Sequence, residues 1–508
     1  MTATPTSDLP GPPTVSARRL RLHTQHDAIV LMREDCAVCR SEGHAPRSQV
    51  LLLANGREVM ATLYQIGDDM LQEGEAGLSE AAWRHLGVSE GDAIVVRHPP
   101  ALASMASMRR RIYGRRLDAA EMEAIIGDIA AGRYSDVHLA AFVTACSALP
   151  LDLDEVVHLT RSMVRAGRQL KWAAPLVIDK HSVGGLPGNR TTPIIVPILA
   201  AYGLVIPKTS SRAITSPAGT ADVMETLTNV DLDLAAMRRV VERENGCLVW
   251  GGAVDLSPAD DLLIRVERAL DIDTQGQMVA SVLSKKVAAG STHVVIDIPV
   301  GPTAKVRSAE DAEALSTMLA AVGRDCGVNV RCVVTDGVQP VGRGIGPSLE
   351  ARDVLAVLEG ADFAPVDLRR RACLLAGAAL ELAGVAHPGA GAALAQAALA
   401  DGRAWAKFQR ICEAQGGLRD PPRSSASRPI TAERAGRLVA INNRTLGRLA
   451  RLAGAPDAKA AGVELHVQLG AEVSAGEPLL TVHAEAAGEL AYALEFARAN
   501  PDLMVIDP

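Results

Sequence analysis

Aromatic side chains are scarce in this chain: four Trp, five Tyr and four Phe among 508 residues, or 3%. Alanine and small aliphatics must therefore fill the apolar faces of its helices. Cysteine is sparse as well. Eight residues, mostly in apolar contexts, suggest no disulfide framework and fit a reducing cytoplasm. No uncharged apolar run reaches about 18 residues, which argues against a helix crossing a membrane. The opening MTATPTSDLPGPPTVSARR lacks an apolar h-region, so no secretory leader is expected. Positive charge is not in excess either. With 52 Lys+Arg against 59 Asp+Glu the net charge is −7, which argues against nonspecific nucleic-acid binding.

The length implies several domains, and the pattern along the chain divides it. Residues 1–16 are rich in Pro, Thr and Ser and are expected to be disordered. Short alternating apolar stretches over 17–100 predict a small β-rich module. Inside it, Cys36-x-x-Cys39 with His44 resembles half a zinc site, but no fourth ligand follows, so two plain thiols are expected. Residues 101–173 read as helices. Asp118 and Glu121 have capping-box spacing, and Met122, Ile125, Ile126 and Ile129 fall on one face. Residues 174–418 alternate strand and helix, with alanine-rich helices at the end. A polar break at 419–429 reads as a linker to an α+β module over 430–508. The predicted fold class is α/β: a helical domain and a large mixed or parallel-sheet domain, flanked by the two smaller modules.

The most informative stretch runs from Val177 to Glu225. Leu176–Ile178 is an apolar strand that ends in Asp179-Lys180-His181-Ser182 and a glycine turn, Gly184-Gly185-Leu186-Pro187-Gly188. Thr192-Pro193 reads as a helix start, with Thr192 as a hydroxyl N-cap and proline where no N–H is needed. A second strand, Leu204–Pro207, gives way to Lys208-Thr209-Ser210-Ser211-Arg212 and then Pro217-Ala218-Gly219-Thr220. This is βαβ patterning, with both polar loops at carboxyl ends of strands, where open α/β sheets bind ligands. Glycine N–H groups, the Lys180 charge and the hydroxyls of Ser182, Thr191, Thr192, Ser210, Ser211 and Thr220 suit a small oxyanion. No Gly-Lys-Ser/Thr follows the glycines, so this is not a Walker loop. The candidate phosphate-binding set is Lys180, Ser182, Gly184, Gly185, Thr192, Ser210 and Thr220.

Lys180-His181-Ser182 with Gly184-Gly185, then Ser211-Arg212 with Gly219-Thr220, Asp222 and Glu225, resembles the thymidine phosphorylase family of nucleoside phosphorylases. The wording KHSVGGLPGNR and SRAITSPAGT is most similar to its long branch, which contains archaeal AMP phosphorylases and bacterial thymidine phosphorylase-like proteins. The resemblance extends from the N-terminal module to the C-terminus. It implies that Arg265, Ser281 and Lys285 grip the base, the arginine match needing a one-residue gap. By the longer branch, Asp273 is the proton donor. Gly185, Ser211, Arg212, Ala213, Ile214, Thr215, Ser216, Thr220, Ser281 and Lys305 are then substrate contacts. Lys180 and His181 complete the candidate catalytic set. The resemblance further implies a homodimer through the helical segment, no metal and no cofactor, with inorganic phosphate as co-substrate. Read from the residues alone, Lys285 and Lys286 would be a solvated helix face.

Phosphorolysis must hold the anion beside C1′, tolerate a cationic sugar and stabilise the departing base, and these residue types suit all three tasks. The chain departs from the shorter enzymes at Thr215-Ser216-Pro217 and by one extra residue between Gly184 and Thr192, which leaves room for a nucleotide's 5′-phosphate. A nucleoside monophosphate phosphorylase is therefore an alternative to pyrimidine nucleoside phosphorolysis. A phosphoribosyltransferase of related fold would need an acidic pair for magnesium–pyrophosphate, and Asp260-Asp261 is the candidate. A catalytically silent binding protein of the same fold is the reading from another class.

Overall fold

The computed structural model describes residues 14–24, 27–67, 70–213, 216–254, 256–272 and 274–508. By packing, the chain forms two compact units: residues up to Arg115 with Gly127–Phe142, and Arg116–Ile126 with Val143–Pro508.

In the first unit, Gln49–Ala54 buries every second residue, as a strand with one face on a core must. The same alternation in Thr14–Arg19, Ile29–Arg33, Arg57–Ile66 and Ala93–Arg97, together with the mostly buried Glu75–Leu78, closes a six-stranded barrel filled by side chains. One expectation is corrected here. Residues 14–16 are not part of a disordered tail, because Val15 and Ala17 point into the core and Thr14–Arg19 pairs with strands on both sides. Cys36 and Cys39 are buried free thiols. His44 is buried with its ring centroid 4.4 Å from that of His98.

The helical segment comprises Ser104–Ile112, Ala119–Ala130, Asp136–Ala148 and Leu153–Ala166. Its capping box is formed: Glu121 N donates to Asp118 Oδ1 at 2.9 Å, and Asp118 N to Glu121 Oε2 at 3.2 Å. Met122, Ile125, Ile126 and Ile129 are all buried, as their spacing predicts. Leu153–Ala166 packs against the helix Gln275–Ala288 of the same unit.

The second unit centres on a parallel sheet. Its strands, in chain order, are Ile178–Ser182, Ile206–Ser210, Gly246–Trp250, His293–Val300 and Asn329–Asp336. The first pairs with the fourth, the fourth with the fifth and the second with the third, and a Val177–Val205 bridge joins the two groups. The first strand is thus central. The chain builds outward on one side, then returns to place the fourth strand on the other. That reversal opens a crevice at the carboxyl end of the first strand.

The helix Thr192–Ala201, buried almost all round, anchors this core together with Ile178, Ile206, Leu248 and Val295. The helices Val366–Leu382, Gly391–Ala400 and Arg403–Ala414 cover it. Beyond them the expected linker is shorter than 419–429, because Ala426–Thr431 pairs with Pro478–Ala484. It is an edge strand, which is why Pro429 is tolerated there. The C-terminal module has its own core and also takes in the strand Gly344–Ile345. Among the described residues, no helix is long and apolar enough to cross a membrane.

Candidate active site

The glycine turn after the first strand is shaped by close backbone approaches. Gly185 has φ +82°, and a Cβ there would sit 2.5 Å from the Lys305 nitrogen. Gly188 has φ +70°, and its Cβ would meet the Val341 carbonyl oxygen at 2.1 Å. Only glycine fits either place. Gly185→Ala is therefore expected to displace the turn and Lys305 together. Turnover of any ligand held by this turn should fall by about 10²-fold while the circular dichroism spectrum is unchanged.

Lys180 lies on the first strand, 1% exposed, and its Nζ donates to Thr191 Oγ1 at 2.8 Å. The helix start is displaced by one residue from the expectation. Thr191, rather than Thr192, is the N-cap, and its hydroxyl receives Lys180 instead of capping the backbone. Burial lowers the Lys180 pKa to about 8, against the pull of Asp297. Asp297, fully buried on the fourth strand, accepts from Asn189 Nδ2 at 3.1 Å and from Thr335 Oγ1 at 2.6 Å. Asn189 Nδ2 also lies 3.5 Å from Ser182 Oγ.

Successive strand residues face opposite ways, so Asp179 looks to the other side of the sheet. It accepts from Lys286 Nζ at 2.7 Å and lies 3.3 Å from Lys208 Nζ, with all three side chains at 5% exposure or less. Lys286 is therefore not on a solvated helix face, because this carboxylate draws it into the protein. Lys285 Nζ lies 2.5 Å from Asp260 Oδ2. Burial works to lower the Lys285 pKa, and Asp260, with Asp261 and Glu267 behind it, more than reverses this. Asp260, one of the candidate acidic pair, is thus paired with a lysine. His181 is half-buried; desolvation, reinforced by Lys286 and Lys208, holds its pKa well below the usual imidazole range.

On the second loop, Arg212 donates to both oxygens of Glu225 at 2.7 Å and lies 4.9 Å from the Trp250 ring centroid. Lys459 reaches the same carboxylate at 2.7 Å. The Arg212 hydrogen bonds, with Lys459 behind them, hold Glu225 at a pKa of about 2. Ala213 N and Gly219 N both donate to Asp222 Oδ2, at 2.6 and 2.9 Å. Arg212 thus braces its loop. Ser216 Oγ donates to the Ala218 carbonyl at 3.0 Å, while Ser211 is exposed. Ser210 Oγ is buried with no hydrogen-bond partner among the described residues.

Lys180 and Ser182 lie on the first strand and Gly184 and Gly185 follow it in the chain; Lys180 meets Thr191, which precedes Thr192, and Thr220 is tied to the same stretch through Arg190. Lys305 adjoins the glycine turn, and its Nζ lies 4.0 Å from Met278 Sδ on the helix that carries Ser281. Arg265 is half-buried on the helix Pro258–Leu270. Asp273, Ile214 and Thr215 lie outside the described residues.

The motif reading missed Arg190 and Glu350. Arg190 Nε donates to Glu350 Oε2 at 2.7 Å and one of its terminal nitrogens to Thr220 Oγ1 at 2.9 Å. Burial raises the Glu350 pKa to about 7 despite that arginine. The residues are 160 positions apart, so no local signal joins them.

Family comparisons agree across most of the length. The glycosyl transferase family a/b domain matches residues 174–405 and its helical bundle domain residues 107–167. A pyrimidine nucleoside phosphorylase C-terminal domain matches residues 438–503. A protein of Chelativorans sp. named "Putative thymidine phosphorylase" is 63% identical over all of both chains. One of the same name from Tolumonas auensis is 60% identical over 98% of this chain and 99% of its own. Another from Legionella pneumophila is 54% identical over 96% and 95%. Among solved structures, anthranilate phosphoribosyltransferase from Thermus thermophilus superposes with a TM-score of 0.51 at 21% identity. It covers 61% of this chain and 99% of that one, and this likeness concerns the fold alone. With full-length relatives at such identity and three domain matches in order, the chain belongs to the thymidine phosphorylase family of glycosyltransferases.

Proposed function

We propose that the protein catalyses reversible phosphorolysis of a pyrimidine nucleoside, converting thymidine and phosphate into thymine and 2-deoxy-α-D-ribose 1-phosphate. One observation carries this reading beyond family membership. Of the four lysines gathered near the first strand, Lys208 and Lys286 are ion-paired with Asp179 and Lys285 with Asp260. Among the described residues, Lys180 has only a hydroxyl partner. A buried ammonium without a contacting carboxylate is costly, and a bound phosphate would supply the missing counter-charge.

In this reading Lys180, Ser182 and the threonine hydroxyls hold phosphate beside C1′. A phosphate oxygen forms the new bond to C1′ as the bond to the base nitrogen breaks, and that electron pair leaves with the base. Asp273 is proposed as the proton source. His181, held neutral, would offer a hydrogen bond rather than charge. Inorganic phosphate is the only co-substrate in this scheme, and no metal or cofactor takes part. We further propose a cytoplasmic location and a homodimer through the helical segment; a monomer by light scattering at micromolar concentration would remove the dimer.

The test is base release with inorganic phosphate, run in parallel on thymidine, uridine, AMP and CMP. Thymine from thymidine is expected. Release from monophosphates only would move the assignment to a nucleotide phosphorylase. No release from any substrate would leave a silent binder of the same fold.

A further inference from the structure

A hydroxyl carries one hydrogen and can accept as well as donate. At two places in the site, a cation uses the accepting side. Lys180 Nζ donates to Thr191 Oγ1 and Arg190 to Thr220 Oγ1, at 2.8 and 2.9 Å. Ammonium and guanidinium groups cannot accept, so each threonine keeps its own proton for another partner. Neither hydroxyl donates to a protein acceptor among the described residues.

Arg190 is held with little freedom. Its Nε meets Glu350 Oε2 at 2.7 Å, and its second terminal nitrogen meets the Ala218 carbonyl at 2.8 Å. Glu350 is 1% exposed on the helix Pro347–Glu359, and its other oxygen accepts from Gly346 N at 3.1 Å. The guanidinium fork thus ties its own stretch to two others, Ala218 with Thr220 and Glu350, and its planar geometry sets where Thr220 Oγ1 can lie. Arg190 itself follows the glycine turn, two residues after Gly188.

Resting on the phosphorolysis reading, we propose that Arg190 and Glu350 are positioning residues: they fix Thr220 Oγ1 as an acceptor and so commit its single proton to the bound phosphate. Neither residue needs to touch the anion. Glu350 orients the guanidinium, the guanidinium orients the hydroxyl, and the hydroxyl donates.

The experiment measures binding of inorganic phosphate alone by calorimetry, and the KM values for phosphate and nucleoside, in wild type and variants. Arg190→Met is expected to weaken phosphate binding by about 10-fold, the scale of one lost hydrogen bond to a charged group, with the nucleoside KM changed less than about twofold. Arg190→Lys should recover part of this, since an ammonium can reach one partner but not bridge three. Arg190→Met combined with Thr220→Val should bind phosphate no worse than Thr220→Val alone, because both act through one hydroxyl. If Arg190→Met folds poorly, the near-isosteric Glu350→Gln should give the same split with a smaller loss. Full additivity of the two variants, or equal rises in both KM values, overturns the inference while the phosphorolysis reading stands. A wild-type protein that neither binds phosphate nor releases base overturns both.

Discussion

Lys180→Ala is expected to lower phosphate-dependent base release by about 10²–10³-fold, the cost of losing one preorganised charged donor from a water-excluded site. The ammonium is 1% exposed and held by Thr191, so solvent cannot substitute for it without rearrangement. The loss should fall mainly on kcat/KM for phosphate. Because burial lowers the Lys180 pKa to about 8, the wild-type value should also decline as pH rises through about 8, where the ammonium loses its proton. The stability effect has the opposite sign. Between about 8 and the ordinary lysine value of about 10.4, the unfolded chain holds a proton that the folded protein has released, so wild-type stability gains with pH there. Kinetics and chemical unfolding between about pH 7 and 10 check both signs, and the alanine variant should lack both contributions. A wild-type-like rate in Lys180→Ala would remove this lysine from the phosphate site.

Asp179→Asn should be the most destabilising conservative change in the sheet, costing about 3–5 kcal/mol. The carboxylate faces two buried lysines, Lys286 at 2.7 Å and Lys208 at 3.3 Å, burial lowering the Lys208 pKa to about 7, and its Oδ1 also accepts from Lys180 N at 2.6 Å. Burial pushes the Asp179 carboxyl up, and Lys208 and Lys286 together push it further down, so its pKa is lowered overall. Such a depressed carboxylate contributes stability that is present above the ordinary aspartate pKa of about 3.9 and is lost as pH falls below it. The asparagine variant leaves both lysines without a counter-charge. Its deficit should shrink as pH rises and one of them deprotonates. Urea unfolding of both proteins at about pH 5.5, below the Lys208 pKa of about 7, and at about pH 9.5 measures this, and an equal deficit at the two values would show that the lysines are not the cause.

The two strand-end loops were legible because everything they need is local. Gly184, Gly185 and Gly188 adopt conformations that favour glycine, and hydroxyls and cations follow within a few residues. The apolar runs that became the parallel sheet, and the helix face of Met122, could be read for the same reason: strand and helix periods are short-range properties of the chain. The assignment of charges was harder. Lysine on an amphipathic helix reads as solvated, yet Lys286 is buried because Asp179, 107 residues earlier, lies where the helix packs on the sheet.

The sequence by itself determined the architecture, the family and the place of the two strand-end loops, since these follow from periodicity and from residue types at close spacing. Only the tertiary structure decided which cations meet carboxylates. Lys208 and Lys286 share that of Asp179, Lys285 pairs with Asp260, Arg212 with Glu225 and Arg190 with Glu350, whereas Lys180 meets a hydroxyl. Coulombic pairing depends on distance in space and on burial, and neither is set by separation along the chain.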